Sequence, residues 1–141
     1  MADAVRRATA VAASSGSVPL GVFTMYKLFT TELVNGNVDV DSVGPSDVGV
    51  MIGCHRSFGI WVKLAGATPD IDVQILQSWD DVAANYVVPD VGGTIVSAIT
   101  TTAAHAKGVS PVALPWLRFR LKGNAANGAD TTADLYFWMQ S

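Results

Sequence analysis

The chain has a single cysteine, Cys54, in 141 residues, which rules out an internal disulfide framework and fits a reducing folding compartment. Charge is scarce: 15% of residues carry one, against about 25% in average soluble proteins, while half are hydrophobic. A surface so poor in charge is expected to be partly covered by something other than water. The net charge of −3 lacks the basic footprint of a nucleic-acid binder. No apolar run approaches the roughly 20 residues that span a bilayer as a helix. In the first 17 residues Arg6 and Arg7 interrupt the apolar stretch, which is not the pattern of a signal peptide. There is no N-x-[ST] sequon, no P-loop, no G-x-G-x-x-G and no nucleophile elbow. A chain of this length is read as one domain with a real core, here an arm over residues 1–17 followed by a single domain over 18–141.

What is present is alternation, clearest in LPWLRFRLKGNAANGADTTADLYFWMQ, from Leu114 to Gln140. Leu117, Phe119 and Leu121 share one face of a strand, with Trp116, Arg118, Arg120 and Lys122 on the other. Leu135, Phe137 and Met139 share a face of a second strand, opposite Asp134, Tyr136 and Trp138. Read as an antiparallel hairpin, one register that makes the apolar sets meet sets Arg120 opposite Asp134, Arg118 opposite Tyr136 and Trp116 opposite Trp138. The connection holds Asn127-Gly128, a place for positive φ.

Earlier in the chain, Ala2 to Ala13 has the composition of one or two helical turns, and Ser14-Ser15-Gly16-Ser17 that of a flexible joint. Strands are expected over 18–31, 48–52, 56–65, 70–79, 85–89 and 94–102, with a loop over 103–111. Asn35-Gly36 is a hairpin signal, and Phe58, Ile60, Val62 and Leu64, with Trp61 and Lys63 facing the other way, set against Ile71, Val73, Ile75 and Trp79 suggest a second hairpin. Seven to nine short strands with frequent turns and no long amphipathic helix predict an all-β domain, a jelly-roll-like sandwich or barrel with an N-terminal arm.

Candidate chemistry is thin. Cys54, His55 and the distant His105 fall short of the ligand number and loop spacing of a zinc site. Asp39, Asp41 and Asp47 surround a turn and loosely suggest calcium, but without EF-hand spacing; Asp70/Asp72 and Asp80/Asp81 read as caps of strand ends. No catalytic residue, metal or cofactor is assigned. The informative feature is the non-core side of the terminal strands. Trp116, Arg118, Arg120, Tyr136 and Trp138 are residue types enriched at interface hot spots, and together they read as a protein-interaction face.

QSWDDVAANYVVPD, then LPWLRFRLKGN and NGADTTADLYFWMQ, resemble small virion proteins of tailed bacteriophages over roughly residues 56–140. The resemblance implies a non-enzymatic capsid decoration or cement protein located in the virion. Its partners would be further copies of itself and a major capsid protein, with no nucleic acid and no membrane. The N-terminal arm would reach a neighbouring subunit. Two other readings stay open: a carbohydrate-binding module stacking sugars on Trp116, Tyr136 and Trp138, and a hydrolase using an Asp pair on a β scaffold.

Overall fold

The computed structural model describes residues 5–7, 9–11, 23–43, 49–52, 57–110 and 115–140. Among the described residues eleven strands run in chain order: β1 (Val5–Arg7), β2 (Thr9–Val11), β3 (Phe23–Leu33), β4 (Asp39–Val43), β5 (Val50–Met51), β6 (Ser57–Ala65), β7 (Ile71–Ser78), β8 (Thr94–Ile99), β9 (His105–Gly108), β10 (Trp116–Gly123) and β11 (Thr132–Gln140). They form two sheets. The first has the order β1-β4-β10-β7-β8, with β5 also on β10; the second has β2-β3-β11-β6-β9. Number the eight main strands, β3, β4 and β6 to β11, from one to eight. The second sheet then reads one, eight, three, six, and the first reads two, seven, four, five. That is the strand order of a jelly roll, so the expected all-β sandwich is the fold.

Alternation explains the core. Leu117, Phe119 and Leu121 of β10 and Leu135 and Phe137 of β11 are fully buried, with Ile60, Val62 and Leu64 from β6 and Ile71, Val73 and Ile75 from β7. Phe119 and Phe137 meet between the sheets with ring centroids 4.8 Å apart. Truncating either ring removes about 3–5 kcal/mol by the usual large-to-small rule.

The expected hairpins are all corrected. β10 and β11 lie in different sheets, as do β6 and β7, and as do β3 and β4 on either side of Asn35-Gly36. Period-two patterning says which residues point inward. It does not say whether the apolar partner strand lies beside, about 5 Å away, or across the core, about 10 Å away. The apolar sets of β10 and β11 do meet, but across the sandwich. β9 lies within the segment expected to be a loop, and the strand expected at 85–89 is a 3-10 turn, Ala83–Asn85, followed by a single bridge from Val87 to Gln77.

Three of the sheet-to-sheet connections, β3 to β4, β6 to β7 and β10 to β11, share one end of the sandwich and one side chain. Asn127, buried, donates from Nδ2 to the carbonyls of Val34 and Gly36, each at 2.8 Å, and accepts from the Asp70 N–H at 3.0 Å. Positive φ is found at Gly36 (69°) and Gly66 (127°), not at the Asn127-Gly128 step.

The N-terminal segment departs from the helical arm expected of it. β1 runs parallel to β4 at the edge of the first sheet, and β2 runs antiparallel to β3 at the edge of the second. An unpaired sheet edge offers a row of N–H and C=O groups, and pairing with it outweighs the weak helix preference of a short Ala-rich segment. The described part of the arm therefore closes one edge of each sheet of its own domain.

Candidate functional site

The structure does not bring the five expected interface residues together. Trp116, Arg118 and Arg120 point outward from the first sheet; Tyr136 and Trp138 point outward from the second, on the far side of the core. These two outer faces differ in chemistry.

On the first sheet, charges are paired and partly covered. Arg120 stands opposite Asp41 of β4 in register, not opposite Asp134. Its Nε donates to Asp41 at 2.7 Å and its Nη2 at 3.2 Å, with Asp39 3.7 Å from Nη1. The hydrogen bonds to Asp41 hold the guanidinium above its ordinary pKa, against the pull of partial burial. The acid opposite this arginine comes from β4 and not, as expected, from β11. Two members of the Asp39–Asp41–Asp47 turn are thus bound to an arginine; Asp47, like Cys54 and His55, lies outside the described residues.

Arg118 is sealed in. It is only 9% exposed, its guanidinium stacks 4.2 Å from the ring centre of Tyr86, and its Nη2 is 3.8 Å from Asp81. The Tyr86 hydroxyl donates to Asp81, which also accepts the Gly49 N–H at 2.7 Å. Burial, then the neighbouring Asp81, pushes the Tyr86 phenol well above its ordinary pKa, so it remains a donor. The connection leaving β7 thus folds back over the first sheet as a strap. Leu76, opposite Arg118 in register, is buried on that same outer side. Trp116 lies beyond, half-buried, opposite Ser78 and the exposed Met51.

The outer face of the second sheet carries rings instead. One row across the strands reads Ala106, Trp61, Tyr136, Lys27; the next reads Gly108, Gly59, Trp138, Met25. Trp61 and Tyr136 meet edge to face, centroids 5.8 Å apart. Lys27 places its ammonium 5.1 Å from the Tyr136 ring centre and 3.8 Å from Asp134. Asp134 also accepts the Thr31 N–H at 2.8 Å, at a bulge where Thr31 has φ of 45°. Trp138 lies across Gly59: a β-carbon at position 59 would collide with the six-membered ring of its indole. All three rings are half-buried, so each keeps surface toward solvent. Sequence reasoning placed Trp61 on the non-core side of its strand but not beside Tyr136, because β6 was paired with the wrong neighbour.

Among the described residues no group of three or more His, Cys, Asp or Glu is arranged to hold a metal ion.

No family model matches the chain, and no curated protein matches it. Solved structures do. One is described as a low affinity xylan binding module, CBM86, of the xylanolytic gut symbiont Roseburia intestinalis. It has 10% identity and a TM-score of 0.45, covering 94% of this chain and 83% of that one. A likeness of that size assigns no role here. The expectation of a capsid decoration protein is nonetheless corrected. The single contact face on which the expectation stood is divided between two sides of the sandwich. The capsid partner, the self-association and the particle location rested on that expectation and are not carried forward.

Proposed function

We propose that this protein is a carbohydrate-binding β-sandwich module that holds sugar rings on the outer face of its second sheet without cleaving them. The observation that carries the reading is the pose of Trp138. Its indole rests on Gly59 and leaves ring surface facing out, with Trp61 and Tyr136 in the adjoining row. A pyranose has an apolar C–H face and a polar rim. A flat indole supplies dispersion contacts for the face. Lys27, Lys63 and Asp134, next to the rings in register, supply donors and acceptors for the rim. Trp61 takes the place that the sequence reading gave to Trp116. Among the described residues neither ring-bearing row holds a carboxylate; Asp134, the next outward residue of β11, has Lys27 and Thr31 as partners. Glycoside hydrolysis calls for two carboxylates flanking one bond, so binding is favoured over catalysis.

Affinity electrophoresis through gels containing xylan, mixed-linkage β-glucan, mannan or polyuronate tests this. The wild type is expected to be retarded in at least one gel, and Trp138→Ala to bind that polymer about tenfold more weakly, about 1.4 kcal/mol, while melting within a few degrees of wild type. A wild type that migrates freely in every gel sinks the reading.

A further inference from the structure

The strap over the first sheet is held by costly means. Asp81 adopts φ of 58°, a left-handed conformation that non-glycine residues rarely take. Arg118 is buried, and among the described residues its Nε has no partner. Buried polar atoms without a partner and backbone outliers gather where a segment must hold one position for a purpose. The strap adds little to the core, since its apolar side chains point outward: Trp79 is 68% exposed and Val82 50%.

What the strap fixes is the surroundings of Trp79. Ser78, on one side of it, is buried and donates from its hydroxyl to Asp80 at 2.9 Å. Asp80, on the other side, also accepts from the Val82 N–H at 3.1 Å and from Asn85 Nδ2 at 2.7 Å. Desolvation works to raise the Asp80 carboxyl, but these hydrogen bonds together outweigh it and hold it below its ordinary pKa, keeping it an acceptor. A carboxylate and an amide are thus locked to each other within the six residues that follow an exposed indole in the chain. The Asn85 side chain keeps its carbonyl and a second N–H for a ligand. An apolar plate beside a rigid donor–acceptor pair suits a ligand with one C–H face and a rim of hydroxyls.

We infer that Trp79, with Asp80 and Asn85, forms a second site for a sugar ring, on the side of the sandwich away from Trp138. This rests on the carbohydrate-binding reading above. The two sites lie on opposite sides of a two-sheet core, so one module engages two chains, or two turns of one chain, and gains avidity on a dense polymer.

The chain has four tryptophans, each giving one indole N–H resonance that a Trp→Phe variant assigns. The test is titration of the protein with hexasaccharides of β-1,4-linked xylose, glucose, mannose and N-acetylglucosamine. The expected result is a shift of the Trp79 signal by the same sugar that shifts Trp138 and Trp61. Retention of Trp79→Ala on the immobilised polymer should fall several-fold with an unchanged melting temperature. Shifts at Trp138 and Trp61 with Trp79 unmoved overturn the second site and leave the first standing. A shift at Trp79 alone upholds the second site and overturns the platform on the second sheet. No shift with any sugar overturns both.

Discussion

The two outer faces of this sandwich are built from strands of similar pattern and have opposite characters. On the first sheet each outward cation of β10 whose contacts are described meets a carboxylate, Arg120 with Asp41 and Arg118 with Asp81, and an aromatic ring is used as a cover, Tyr86 over Arg118. On the second sheet the rings are the exposed surface, and a cation is the accessory, Lys27 beside Tyr136. The lesson is that an outward aromatic–arginine pattern does not by itself define a contact face. What decides is whether another segment of the same chain arrives to cover it. The strap arrives over Arg118; among the described residues none is seen over Trp138.

Three interventions test that contrast. The largest effect is expected from Arg118→Ala. It leaves Asp81 and Tyr86 without their cation in a covered site, and should cost roughly 3 kcal/mol, read from the urea midpoint, while polysaccharide binding at the second sheet stays unchanged. If binding is lost along with stability, the two faces are not independent. Gly59→Val acts on the other side. The new side chain collides with the Trp138 indole and lifts it from its seat. Retardation in polysaccharide gels should fall at least tenfold, for about 1 kcal/mol of stability. Equal binding by this variant would mean that the pose of the indole is irrelevant. The smallest effect concerns acid. The folded pKa of Asp80 lies below its ordinary value of 3.8, so its contribution is present above that pH and fades as pH falls through the folded value. Below about pH 4 the wild type should lose more melting temperature, relative to neutral pH, than Asp80→Asn does. Parallel curves would show that Asp80 does not pin the strap.

Much of the fold was legible in alternation. The inward sets of β6, β7, β10 and β11 are the buried ones, and turn density pointed to a sandwich. Pairing was not legible. In a jelly roll most consecutive strands change sheet, so neighbours in sequence face each other across the core; β7 and β8 are an exception. Of the site, Tyr136 and Trp138 were found because they alternate with core residues. Trp61 was visible as an outward ring, but its place beside Tyr136 depends on a register between strands far apart in sequence. Trp79 was read as the inward end of an alternating run; it lies one residue past the end of β7, where the pleat no longer dictates direction. The seal over Arg118 left no local signal, since Tyr86 and Asp81 come from a connection with no periodicity.

Asn127 bears on the order in which this chain becomes native. Its amide is satisfied only when the connections leaving β3, β6 and β10 have reached the same place, which requires both sheets to have formed and docked. Contacts so distant in sequence close late, after the larger apolar strands have found each other. An interaction absent from the transition state acts on the barrier to leaving the native state and not on the barrier to reaching it. The carboxamide at position 127 is thus a lock on escape: its strength sets how long the assembled sandwich lasts, with little say in how quickly it forms.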